Sequence, residues 1–372
     1  MVKRIALVLV LAACGNSAPM PVVQMPALLV VANTPDATVS ILELPAGKEL
    51  ARLPTDVGPH EVAMSPDGRR AVVSNYGDGT VAGHSLTVID LASLTATPVE
   101  LGTYRHPHGI AFVDAHSVVV TSEDSAAVVV VDVDAGTVAR TISTAQLGSH
   151  MLALAPGASS LYVANFQSAS ITPIDLARAE GGTPVPAIES NEAIAVTPDG
   201  AEVWTASLPQ NKILIFDAPA LTLASQLDAS GGPIRITPTP DGTTMIVSNA
   251  SASKLQLIDV ASRAIATVDL PAARGDSASP VGATVSSDSK TAYVALVAED
   301  RVAVVDLAAR AVTGYLAVGH GPDGVAYREA TPARSSSATR RAIVAEHGRA
   351  HTDDCTQRVA QRSARDDSAP GR

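Results

Sequence analysis

The chain has 372 residues, 46% of them hydrophobic and 17% charged, enough for one large all-β domain or two ordinary ones. Its net charge is −11, and because Lys3, Arg4 and an Arg-rich C-terminal segment are basic, the body between them is more acidic still. Such a body repels phosphate backbones, and one Trp, six Tyr and three Phe offer little for base stacking, so nucleic acid is excluded as a partner class.

The first residues read as an address. Lys3 and Arg4 precede an apolar run at residues 5–13, too short to span a bilayer as a helix but suited to the core of a signal peptide. The run ends in Leu11-Ala12-Ala13-Cys14-Gly15, which resembles a bacterial lipobox. In that motif small residues admit the signal peptidase, and Cys14 becomes the acylated first residue. An ordinary signal peptide with a chance cysteine is the rival reading. Residues 1–13 are predicted as a lipoprotein signal peptide and 14–26 as a lipidated cysteine with a Pro-rich tether. The expected partner is a membrane of the bacterial cell envelope, held through lipid on the periplasmic side or at the cell surface. With Cys355 as the other cysteine, there is no disulfide framework.

Residues 27–328 repeat one unit. Apolar-acid-apolar endings place Glu43, Asp90, Asp132, Asp175, Asp217, Asp259 and Asp306 at steps of 47, 42, 43, 42, 42 and 47 residues. A second series runs in phase: Asn33, Asn75, Ser122, Asn165, Ser207, Asn249 and Leu296. SPDG at 65–68 and TPDG at 197–200 and 239–242 are turns in the same frame. Each unit holds four short Val/Ile/Ala-rich runs and no helical period, which is the pattern of a β-propeller blade. Ala63, Ala111, Ala153, Ala195, Thr237, Thr284 and Ala326 keep one position of the first run small, as strands crowded around an axis require. The first unit lacks its innermost strand, and residues 321–327 supply it at the other end. Seven four-stranded blades, closed by strands from both ends, are therefore predicted.

The runs VAMSPDGRRAVVSN…LTVIDL and ALAPGASSLYVAN…ITPIDL resemble the YVTN repeat of bacterial YncE-like proteins and archaeal surface-layer proteins. That resemblance implies the propeller fold and an exported binding module, and it is much less specific for function. At 156–159 the repeat has PGAS in place of SPDG. Residues 329–372 match nothing in the repeat and read as a disordered tail, His351, Asp353 and Cys355 included.

Alternating strand direction puts the loop entering strand one and the loop leaving strand two on one face. Both five-residue insertions, at 76–84 and about 272–280, fall there. Lengthened loops on a rigid scaffold point to a binding face. The first-strand residues at that mouth are His60, His108, His150, Glu192, Ile234, Val281 and Asp323, joined by Tyr76, His106, Glu123 and Phe166. Arg235 is expected to point between blades. Three readings stay open. The histidines can be hydrated channel residues. They can form, with Tyr76, His106, Glu123, Glu192 and Asp323, a pocket for a small polar molecule or a protein end. Or His60, His108, His150 and Glu192 can hold a divalent transition metal. Function is read as binding, with a lactonase-like or metal-assisted hydrolase or lyase as the alternative.

Overall fold

Short runs of β-branched residues between Pro, Asp and Gly turns cannot form helices long enough to be stable, and they pair instead as strands. The structure, a computed structural model, describes residues 25–330. The expectations for Cys14, the leader and the tail beyond residue 330 lie outside the described residues. Seven antiparallel sheets form the seven blades of a β-propeller. Their innermost strands are Pro322–Arg328, Pro59–Met64, Pro107–Phe112, Ser149–Leu154, Asn191–Val196, Pro233–Pro238 and Pro280–Val285, for blades one to seven. Each touches the next around a closed ring. In blade one the C-terminal strand Pro322–Arg328 pairs with Leu28–Asn33, as the interrupted repeat predicts. Leu28–Asn33 is buried along its whole length, so this pairing hides an edge that would otherwise be open.

The repeated polar residues explain themselves locally. Asn33, Asn75 and Asn165 end their second strands fully buried. Each donates through Nδ2 to hydroxyls of the third strand: Thr38 and Ser40, Ser85 and Thr87, Ser170 and Thr172. A buried amide is tolerated because those partners repeat with it. Asp90, Asp132, Asp175, Asp259 and Asp306 accept backbone N–H groups two or three residues on, fixing the turn into the fourth strand.

Two details depart from the simple repeat. The fourth strand of blade four is broken into Glu180–Gly181 and Val185–Pro186, both paired to Ser170–Asp175. The insertion of blade two is not a loose loop. It lengthens Arg70–Gly77 and Ala82–Asp90 into a taller hairpin in which Gly77 pairs with Ala82.

Candidate functional site

The mouth residues owe their placement to a β-bulge. In every blade the register slips at the start of the innermost strand: between Pro59 and Val62, Pro107 and Ile110, Ser149 and Leu152, Asn191 and Ala193, Pro233 and Arg235, and Pro280 and Ala283, with the matching slip against blade one. His60, His108, His150, Glu192, Ile234, Val281 and Asp323 all lie in the slipped segments. A bulge re-aims the side chains it carries, and here it turns them toward the channel. Close packing accompanies it. A Cβ on Gly109 would come within 2.6 Å of Leu152 N, and one on Gly324 within 2.2 Å of the His60 carbonyl oxygen. Only glycine lets neighbouring inner strands approach so closely at this end.

The side chains form one connected network. His60 stacks on Tyr76 with ring centroids 5.2 Å apart and meets His108 edge-on at 4.6 Å. The His108 and His150 rings lie 3.8 Å apart, and His150 also packs on Phe166. Tyr76 contacts the His106 ring at 4.8 Å and donates its hydroxyl to Glu123 Oε2 at 2.8 Å. His150 is held from both sides, by Glu123 Oε1 at Nδ1 and by Glu192 Oε1 at Nε2, the latter at 3.0 Å. His60 Nδ1 faces Asp323 Oδ2 at 3.2 Å without the alignment of a hydrogen bond. His106 pairs with Asp124 at 3.0 Å. The tall hairpin stands at the same mouth, since His106 N donates to the Gly83 carbonyl.

Across the channel, Arg235 of blade six donates through Nε and Nη2 to Glu61 Oε1 of blade two, at 3.0 and 2.5 Å. Its Nη1 lies 4.0 Å from Glu192. The expectation that Arg235 points between blades is therefore wrong. It follows a bulge, where strict alternation of side chains no longer decides which way a residue faces.

Burial and charge set the protonation states. Burial drives His108 well below the usual histidine range, with the neighbouring His150, His60 and Arg235 charges adding to the effect. Burial also disfavours the His150 imidazolium, but its hydrogen bonds to Glu123 and Glu192 outweigh that and lift it to about 9. Glu192 is raised by burial and lowered by the His150 bond and the His150 and Arg235 charges, with the net direction down. Burial pushes the Asp323 carboxyl up and, with Glu123, the Tyr76 phenol up. Burial works against the Arg235 charge, yet Glu61, Asp323 and Glu192 hold it firmly protonated. A neutral imidazole, a cationic one and a cationic guanidinium thus share one mouth with several carboxyl groups.

The structure brings together His60, Tyr76, His106, His108, Glu123, His150, Glu192 and Asp323, the residues suggested by the repeat frame for a polar pocket. For a metal it selects differently. Among the described residues, His108, Glu123 and His150 can place one ligand atom each within 4.8 Å of one another, and this trio leaves out His60 and Glu192. Two residues important to the network were missed in the sequence, Glu61 and the channel-facing role of Arg235. The signal was present: both are charged residues one past a mouth position, where the other blades carry uncharged Gly109, Met151, Ala193, Gly282 and Gly324.

No family model matches the sequence, and no curated protein matches it. Among solved structures the chain is similar to Kuenenia stuttgartiensis hydrazine synthase, with a TM-score of 0.62 and 19% identity over 72% of this chain and 88% of that one. At that identity the likeness shows the fold alone. The chain is a seven-bladed β-propeller, a fold that by itself does not fix a function.

Proposed function

We propose that this chain is an exported, lipid-anchored protein of the bacterial cell envelope whose channel mouth binds a small polar ligand or the end of a partner protein. One observation carries the binding reading. Polar side chains from blades one to six meet at one mouth and bond across blades, Arg235 to Glu61 and His150 to both Glu123 and Glu192. A fold needs no such network, because buried charges cost desolvation that apolar packing avoids. A site that recognises a polar molecule does need it. The YVTN-like repeat pattern and the lipobox-like Leu11–Cys14 segment support export and anchoring. If Cys14→Ser fractionates with membranes and migrates like the parent, the anchoring reading is wrong.

The binding reading is tested by thermal-shift screening of small polar metabolites and short peptides against metal-free protein. The parallel sample is the His60→Gln/His106→Gln double variant, which alters two partly exposed rings at the opening. Specific ligands raise the melting temperature by mass action. Hits lost in the double variant support the mouth. Hits that persist unchanged, or no hits at all, count against it. A lactone-hydrolysis screen with added metal separates the alternative, a hydrolase or lyase built on His108, Glu123 and His150.

A further inference from the structure

The geometry points to a divalent transition-metal site formed by His108, His150 and Glu123, with Glu192 orienting His150 from behind. This deepens the reading of the mouth as a binding site. Three observations converge on it. The ligand atoms of the trio lie within 4.8 Å of one another, close enough to surround one ion after small side-chain rotations. His108 is 1% exposed, and its Nδ1 is buried with no hydrogen-bond partner, an unusual state for a polar atom in a native interior. The third is the outer arrangement. Glu123 accepts the Tyr76 hydroxyl at Oε2 and keeps Oε1 on the His150 side. His150 has its Nε2 on Glu192, which in turn lies 4.0 Å from Arg235. A carboxylate on the far nitrogen of a histidine is how metal-binding imidazoles are commonly held in tautomer and orientation.

Two imidazole nitrogens and one carboxylate oxygen suit Zn²⁺ and its neighbours in the transition series, whereas Mg²⁺ and Ca²⁺ prefer oxygen throughout. Three protein ligands leave a coordination position for water or a ligand atom. His60, whose ring stands 4.6 Å from that of His108, belongs to the wall of the site and not to its ligands. This assignment differs from the four residues suggested by the repeat frame, and the difference is what can be measured.

The experiment is calorimetric titration of Zn²⁺ into full-length, tag-free, chelator-treated protein, repeated with Co²⁺ so that ligand-field absorption reports the coordination. One ion per chain is expected. His108→Gln and Glu123→Gln should each weaken binding about 100-fold or more, Glu192→Gln by about 10- to 100-fold, and His60→Gln, which alters the wall but no ligand, by less than about 10-fold. Glu123→Gln keeps the shape of the side chain, so it still tests the ligand set if His108→Gln fails to fold. Circular dichroism of the metal-free variants checks that the fold persists. Absence of stoichiometric Zn²⁺ binding overturns the proposal. So does parental affinity in His108→Gln and Glu123→Gln, or a loss in His60→Gln as large as that in His108→Gln. The binding reading fails separately, since its screen uses metal-free protein.

Discussion

The two ends of the propeller use acidic residues in opposite ways. On the turn face, Asp67, Asp199, Asp241 and Asp288 accept hydrogen bonds from groups within two residues of themselves, and those local bonds contribute to holding each carboxyl below the usual range. At the mouth, Glu61 is bonded to a residue 174 positions away, and Glu123 and Glu192 to residues 27 and 42 positions away. The first set repeats with the blade and stabilises its turns. The second breaks the repeat and joins blades to one another. Polar residues that recur at fixed steps serve the scaffold, and those that depart from the pattern support the proposal that this face binds.

The largest test of this contrast removes what both ends share. A chain stopped at residue 320 loses Pro322–Arg328 and exposes the wholly buried strand Leu28–Asn33, so it should aggregate or unfold without cooperativity. Cooperative urea unfolding of that chain, followed by circular dichroism, would show that closure is unnecessary. Next comes the cross-channel pair. Arg235→Gln leaves Glu61 without its cation, and Glu192 with that of His150 alone, in a mostly buried place, which should cost about 3 kcal/mol of stability. A denaturation midpoint near that of the parent would mean that water, not Arg235, satisfies those carboxylates.

A pH series sharpens the comparison. In metal-free protein the folded His150 lies at about 9 against an ordinary value of 6.5, so its stabilising contribution is complete below pH 6.5 and fades as pH rises through 9. Glu192 is shifted down, so its contribution is present above its ordinary value of 4.5 and is lost on acidification below it. The mouth therefore stabilises most between those limits. His150→Gln should flatten the alkaline loss, with an amplitude of roughly 3 kcal/mol in the parent. An identical alkaline slope in both proteins would assign it elsewhere. The smallest effect belongs to the turn face. Asp241→Ala removes bonds from Thr239 and Thr243 and should cost about 1 kcal/mol while leaving every mouth ligand's affinity unchanged.

The same contrast decides what is legible in the sequence. Blade number, closure and the mouth positions follow from repeat arithmetic, because the ladders and the Asn and Asp bonds to the third strand and its turn lie within one blade and recur with it. The partners at the mouth do not. Arg235 meets Glu61 only because the ring closes and a bulge upsets the alternation of inner-strand side chains. Glu123 joins His108 and His150 because second-strand ends converge on the channel. The choice of Glu123 over His60 as a neighbour for both histidines depends on ångström-scale placement that spacing does not encode.

The central claim, that the mouth rather than the turn face is where this propeller meets its ligand, is tested most directly by crystallography. The crystal should be grown with the strongest hit of the thermal-shift screen. The account predicts ligand density at the channel opening, in contact with Tyr76 and His60 and within hydrogen-bonding distance of at least one of Glu61, Glu192 or Arg235. Density confined to the face that carries the Ser65–Gly68 and Thr239–Gly242 turns, or to the outer edges of the blades, would contradict it.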